Sequence, residues 1–279
     1  MTKLRNHYAR ELTDPSARFR ELAGGAKVII SDFDGCIVPY RKEPNPELVG
    51  RVKEIIRSRG NRFGFAVVTG RDVEAMSKFS AEADVPVLGE LGNVLHEPTG
   101  ETHVLLNKNA IEFISNVAKP FISGFVSSTF PGFTDHSRTT MLSYSRPDNI
   151  SMEDFVSKII KHIKDNAPEI GRKLDLSFWT EHTIDISYKG NNKGKAVEFV
   201  SSYYKSNLKE AVYIGDGNND IPAFKKVLAA GGIGVAPSNS DKYVMDFASK
   251  DKTGRMIVHG LESTECVLEI LSIIRDTNP

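Results

Sequence analysis

The sequence predicts an α/β fold built on a parallel sheet and interrupted by a smaller α+β segment. Three observations carry this. Short apolar runs recur, each ending in Asp, Gly or Thr, as strands buried on both faces do. Outside residues 108–188 these runs alternate with helical patterns, which implies parallel strands joined by right-handed crossovers. Within 108–188 the order becomes α-β-β-α-β-β, which predicts an antiparallel sheet with helices on one face. The α/β domain is therefore expected to be split into residues 1–107 and 189–279, with residues 108–188 inserted as a separate small domain.

Residues 1–23 are polar, with Leu4, Tyr8, Leu12, Phe19 and Leu22 as apolar points and Pro15 expected to interrupt a helix. Val28–Ser31 is the first strand. Asn45-Pro46-Glu47 then supplies an N-cap, a proline at the first helical position and an acid at the positive helix end. The helix runs through Leu48, Val52, Ile55 and Ile56 to Gly60. Phe63–Val68 is the second strand, followed by a helix through Val73, Met76 and Phe79. Val85–Leu88 is a third strand, and Val94–His96 pairs with His103–Leu105 across Pro98-Thr99-Gly100. The insert opens with a helix from Ala110 to Val117, then strand-like runs at Phe125–Phe130 and Thr139–Ser145. Ser151 and Asp154 form a capping box for a helix through Ile163, and strands follow at Leu174–Trp179 and Thr183–Tyr188. The first pattern resumes with a helix from Lys193, a strand at Ala211–Ile214, a helix at Ile221–Leu228 and a strand at Gly231–Val235. An apolar-faced helix, Leu261–Ile274, follows.

Composition narrows the function. Of 279 residues, 40% are hydrophobic and 26% charged, as in an ordinary globular protein. Lys+Arg and Asp+Glu are both 36, so no general field favours nucleic acid or a membrane surface, and neither partner is expected. An anionic ligand must be drawn by a local site. Two cysteines, Cys36 and Cys266, form neither a disulfide framework nor a zinc pattern, and point to a reduced, cytoplasmic setting. Met1–His7 carries charges without an apolar core, so no signal peptide is expected, and no run reaches membrane-span length.

The chemistry concentrates where strands end. Asp32 and Asp34 lie two apart in an extended segment, so their side chains share one side, and Gly35 permits a sharp turn. At about 4 Å and an effective dielectric of about 20, two such charges repel by roughly 4 kcal/mol, which a cation or a proton must relieve. Taken alone, the stretch also fits a solvated turn. Asp216 and Asp220 follow another strand and converge on the same sheet edge, where hard oxygen ligands select Mg2+ or a similar ion. Thr69-Gly70 ends a strand before a helix, offering a hydroxyl and free amides to a phosphate oxygen; Thr69 or Asp72 also fits as a simple cap. Lys193 sits in a first helical turn, where it opposes the helix dipole, so something other than helix stability selects it; a solvated lysine is the alternative.

The four stretches Asp32-Phe33-Asp34-Gly35, Thr69-Gly70-Arg71, Lys193-Gly194-Lys195 and Gly215-Asp216-Gly217-Asn218-Asn219-Asp220, in this order, resemble the haloacid dehalogenase-like phosphatase superfamily. The insert falls where that superfamily carries its type-two cap, and its short form is similar to the sugar-phosphate phosphatase branch. Phosphomannomutases and phosphoglycolate phosphatases are similar too. The resemblance implies a Rossmann-like core with an α+β cap domain that confers specificity. It also implies Mg2+-dependent hydrolysis of a small phosphorylated sugar or sugar acid, with a phosphomutase or a phosphoglycolate phosphatase as alternatives. Asp32 would be the nucleophile and Asp34 the general acid and base. The metal would be held by Asp32, Asp34 through its carbonyl, and Asp216, with Asp220 on its waters or on Lys193. Thr69, Gly70 and Lys193 would bind the phosphoryl group, with the amide of Phe33 as a further donor. Cys36 departs from the family, which usually has threonine there, and leaves substrate preference open.

Specificity is expected from the cap and the linker before it. Arg138, His182 and Lys189 are candidates, with His136, Arg146 and Trp179 beside them. Each also has a structural reading: Trp179 as core, Arg146 as a surface loop beside Pro147. Glu90 and Asn93, between the two domains, resemble a polar motif near the cleft of related phosphatases. A nucleotide-binding Rossmann domain is disfavoured, since no G-x-G-x-x-G follows the first strand.

Overall fold

A computed structural model describes residues 14–40, 45–60, 62–179 and 182–277, with only the backbone of residues 178 and 179. The expected apolar points Leu4, Tyr8 and Leu12, and the Trp179 side chain, lie outside what is described.

The sheet strands are β1 (Val28–Ser31), β2 (Gly64–Val68), β3 (Val87–Gly89), β4 (Val94–His96), β5 (Thr102–Val104), β10 (Ala211–Ile214), β11 (Ile233–Ala236) and β12 (Met256–Val258). Their spatial order is β12-β11-β10-β1-β2-β3-β4-β5. All pairings from β12 to β3 are parallel, and the β3–β4 and β4–β5 pairings are antiparallel, as the hairpin reading requires. β1, which carries the first acid pair, is central, flanked by β10 and β2. Every residue of β1, β2 and β10 is buried.

Helices cover both faces. On one lie α1 (Pro15–Ala23), α2 (Pro46–Arg57), α3 (Val73–Ala83) and α11 (Ser263–Thr277), burying residues such as Phe19, Ile56, Phe79 and Ile270 with Ile29 of β1. On the other lie α8 (Lys193–Tyr203), α9 (Ile221–Ala229) and α10 (Lys242–Ser249), where Val197, Phe224 and Val244 pack with Val28 and Ile30. Alternate residues of one strand thus serve the two cores. Cys266 is buried in the first of these clusters, in keeping with its place on the apolar face of the last helix.

The insert forms a second, four-stranded antiparallel sheet of β6 (Thr134–Asp135), β7 (Met141–Ser145), β8 (Leu174–Trp179) and β9 (Thr183–Tyr188), ordered β6-β7-β9-β8. Its helices are α4 (Lys108–Phe113), continued through a π-helical turn at Ile114–Ala118 into α5 (Lys119–Thr129), then α6 (Met152–Asn166) and the short α7 (Pro168–Gly171). Ile122 and Val126 of α5, Phe155 and Ile159 of α6, and Leu142, Tyr144, Ile184 and Ile186 of the sheet form a cluster of their own.

Two expectations need correction. Phe125–Phe130 is not a strand: Phe125–Thr129 continues α5, because Ile122 and Val126, four residues apart, both reach the core beside Phe155. Pro15 does not interrupt a helix; it opens α1 at the first position, with Asp14 accepting from Ser16 N at 3.1 Å. Helix α10 and strand β12 were not expected at all. Among the described residues, no helix is long and apolar enough to cross a membrane.

Candidate active site

The carboxyl ends of β1, β2 and β10 meet at one edge of the large sheet, where open α/β sheets place ligands. Asp32 follows β1, and its amide donates to Ile214 O at 2.8 Å. It is 2% exposed; its Oδ1 accepts from Phe33 N at 2.6 Å and its Oδ2 from Lys193 Nζ at 2.5 Å. Lys193, at the first position of α8, is fully buried and also donates to Asp220 Oδ1 at 2.7 Å. A lysine that opposes its helix dipole is thus held by two carboxylates from other strands.

The loop after β1 is built to bring Asp216 in. Gly35 has φ +76°, and a Cβ there would lie 1.9 Å from Asp216 Oδ2. Cys36 is buried, with Sγ 3.8 Å from Asp216 Oδ1. Asn239 donates to Gly35 O at 2.9 Å and Thr264 to Ile37 O at 2.8 Å, so the loop is braced from the segment after β11 and from α11.

Asp32, Asp216 and Asp220 are buried, with carboxylate oxygens within 4.8 Å of one another. Three carboxylates against one ammonium leave a formal deficit that a divalent cation would balance, and all the donors are hard oxygens, which suits Mg2+. Burial pushes Asp32 up to about 8, against the pull of Lys193 and helped by the charge of Asp220. Burial, with the charges of Asp32 and Asp220, holds Asp216 well above the usual carboxylate range. Lys193 stays charged: burial disfavours its ammonium, but Asp220 and Asp32 outweigh that and raise its pKa. Asp220 is already engaged, its Oδ1 by Lys193 and Tyr213 and its Oδ2 by the amides of Asp216 and Gly217. Asp216 is therefore freer to meet a cation than Asp220, or than Asp32, whose oxygens accept from Phe33 N and Lys193.

Asp34 turns the other way. Arg71 Nε and Nη2 donate to its two oxygens at 2.7 and 2.6 Å, a bidentate pair, while the guanidinium lies 5.3 Å from the Phe33 ring centroid. The Asp34 side chain is thus outside the acidic cluster of Asp32, Asp216 and Asp220. Thr69 is buried, and its hydroxyl accepts from Arg71 N at 3.1 Å. Asp72 caps α3, accepting from Ala75 N at 2.8 Å.

Above this edge lies a cleft of about 370 Å3, lined below by Asp32, Asp34, Thr69, Gly70, Arg71 and Asp72. Its roof is formed by Ser143, Ser145, Thr183 and Asp185 on the polar face of the second sheet, with His136 and Arg138 of the β6–β7 connection. Side-chain contacts join the layers. Arg138 Nη2 lies 3.5 Å from Asp72 Oδ2, and Glu90 Oε2 accepts from Thr140 N at 2.9 Å and Thr140 Oγ1 at 2.6 Å. Glu90 and Leu91 have φ of +52° and +60°, uncommon for residues with side chains, so the linker is held in a costly conformation.

Of the substrate candidates, Arg138 and His136 line the cleft. Glu90 and Asn93 are buried in the linker, where Asn93 Nδ2 donates to Glu90 O at 2.9 Å. Lys189 is exposed, and its amide donates to Lys173 O at 2.8 Å. His182 lies in the turn before β9, where its carbonyl accepts from Arg146 N at 2.8 Å. Sequence reasoning passed over Ser143, Ser145, Thr183 and Asp185. Their signal was the strict alternation with Leu142, Tyr144, Ile184 and Ile186, whose outward face was not followed up.

Fold and site together are similar to those of haloacid dehalogenase-like hydrolases. The model of the haloacid dehalogenase-like hydrolase family matches residues 133–253, from the second sheet through the Asp216–Asp220 turn. Trehalose-phosphate phosphatase B of Arabidopsis thaliana is 25% identical over 251 residues, covering 82% of this chain. That match spans 65% of the relative, so this chain covers less than two thirds of it. Phosphoglycolate phosphatase of Thermoplasma volcanium is 26% identical over 176 residues, 62% of this chain and 69% of the relative. Among solved structures, the C-terminal domain of C. albicans trehalose-6-phosphate phosphatase superposes with a TM-score of 0.70 at 16% identity, covering 94% of this chain and 95% of that one.

Proposed function

We propose that the protein is a Mg2+-dependent phosphomonoester hydrolase acting on a small phosphorylated sugar or sugar acid. Residues 1–107 and 189–279 form the catalytic core, and residues 108–188 the cap that reads the leaving group. The observation that carries the reading is the buried pairing of Asp32 with Lys193 at the floor of a cleft roofed by the second sheet. The names of the relatives support the substrate class. Buried cysteines that form no disulfide support a reducing, cytoplasmic setting.

Asp32 attacks phosphorus; its oxygen–phosphorus bond forms as the ester bond to the leaving oxygen breaks. Asp34 gives that oxygen its proton, then takes one from the water that attacks phosphorus and frees Asp32. Arg71 holds both Asp34 oxygens, so this pair must loosen for the proton to pass. Thr69, the Gly70 amide and Lys193 bind the transferred phosphoryl group. Asp32, Asp216 and the Asp34 carbonyl would hold the ion, with Asp220 keeping Lys193 in place. When bound, Mg2+ neutralises charge on the equatorial phosphoryl oxygens, where most of the catalysis of this reaction lies.

The test is release of inorganic phosphate from sugar phosphates, phosphoglycolate, nucleotides and p-nitrophenyl phosphate, with Mg2+ and with excess chelator. Mg2+-dependent release from at least one small ester is expected. No release from any, or full release in chelator, overturns the reading. Isomerisation of a sugar phosphate in the presence of a bisphosphate activator, without net phosphate release, would indicate a phosphomutase.

A further inference from the structure

The roof of the cleft holds two polar atoms that the protein's own hydrogen bonds leave unused. Asp185, on β9, is 5% exposed. Its Oδ1 accepts from Ser143 Oγ on the neighbouring strand at 2.7 Å, which fixes the carboxylate. Among the described residues no hydrogen bond reaches Oδ2. That oxygen stands over the phosphate-binding turn: a Cβ placed on Gly70 would lie 3.6 Å from it. The second atom is Arg138 Nε, buried and without a partner among the described residues, although its Nη1 donates to His136 O at 2.7 Å. One is an acceptor and the other a donor, and both line the same cleft.

We infer that Asp185 is a specificity-determining residue that accepts a hydrogen bond from a hydroxyl of the leaving group, so that the enzyme prefers phosphorylated sugars or polyols to phosphorylated carboxylic acids. This rests on the phosphatase reading above. A hydroxyl both donates and accepts, so a diol can satisfy Asp185 Oδ2 and Arg138 Nε together. A carboxylate only accepts; it would suit Arg138 but meet Asp185 with like charge and leave Oδ2 unpaired. The rest of the roof has the same character. Ser145 and Thr183 hydroxyls lie 3.0 Å apart, His136 Nε2 lies 3.0 Å from Ser145 Oγ, and Asp72 faces Arg138 and offsets its charge. Sites built to bond a substrate hydroxyl reject analogues lacking it far more strongly than apolar pockets reject small changes of size.

The experiment compares kcat/KM for glucose 6-phosphate, phosphoglycolate and p-nitrophenyl phosphate in the parent, Asp185→Ala and Asp185→Asn. The parent should prefer glucose 6-phosphate to phosphoglycolate. Asp185→Ala should lower the ratio of glucose 6-phosphate to p-nitrophenyl phosphate by about 10- to 100-fold, the worth of one hydrogen bond to a charged group. The loss should appear mainly in KM, and the ratio for phosphoglycolate should not fall. If Asp185→Ala does not fold, Asp185→Asn carries the test: its amide oxygen keeps the Ser143 bond while its uncharged NH2 group faces the cleft as a donor that a carboxylate can meet, so the ratio of glucose 6-phosphate to phosphoglycolate must fall. An unchanged ratio in the variant that folds, or a parent that prefers phosphoglycolate, overturns the inference and leaves the phosphatase reading standing. A parent that hydrolyses none of the three esters overturns both.

Discussion

Lys193 Nζ lies 2.5 Å from Asp32 Oδ2 although the two residues are 161 positions apart, and each is at most 2% exposed. The ammonium also holds Asp220, so one cation serves two carboxylates from two strand ends. Removing it would leave both charges buried. Lys193→Met should therefore abolish phosphate release and destabilise the fold by about 3–5 kcal/mol, read as a lower urea midpoint. A midpoint equal to the parent's contradicts the role given to this contact.

Asp32→Asn should keep the fold and lose turnover by several orders of magnitude. The amide oxygen can still accept from Phe33 N, and the acidic cluster loses one negative charge. It has no nucleophilic oxygen anion to offer phosphorus. Single-turnover phosphate release within about tenfold of the parent would mean that another group attacks.

Gly35→Ala tests how the acidic cluster is assembled. The left-handed backbone at φ +76° costs a residue with a Cβ about 1–2 kcal/mol. The new methyl also overlaps the Asp216 carboxylate and must push it away. Titration calorimetry should show weaker Mg2+ binding than in the parent, with a smaller effect on melting than on affinity. Unchanged Mg2+ affinity would place the ion away from Asp216.

Burial raises Asp185 from the ordinary carboxylate value to about 6. Between the unfolded value near 3.8 and the folded value near 6, the folded protein keeps a proton that the unfolded chain has released. This contribution to stability is fully present below the lower value and is lost as pH rises through the upper one. Asp185→Asn has no proton to lose. Its urea midpoint should fall less than the parent's between pH 4 and pH 6.5, and parallel profiles would contradict the assigned burial.

Glu90→Ala removes both bonds to Thr140 that tie the linker to the second sheet. With the layers less well held, KM should rise for small and large esters alike, and hydrogen exchange should quicken at Thr140. Loss confined to the best substrate would instead make Glu90 a contact to the leaving group.

The acid pairs, the Thr69-Gly70 turn and the Lys193 helix start were legible in the chain because each is a local event. A strand end, a glycine or a capping residue leaves its mark within a few positions. The alternation of strands and helices was legible for the same reason, through burial on both faces of β1, β2 and β10. Phe125–Phe130 was misread because its aromatic and β-branched residues favour a strand locally. The decision for helix came from Ile122 and Val126 packing on α6, a contact outside the window. The partner of Asp34, the two anchors of Lys193 and the carboxylate over Gly70 have no local mark. Arg71 reaches Asp34 because β1 and β2 pair in register, and Asp185 meets Ser143 because β7 and β9 do. Strand pairing sets which distant residues face each other, and a one-residue slip would turn each of these side chains to the opposite face of its sheet.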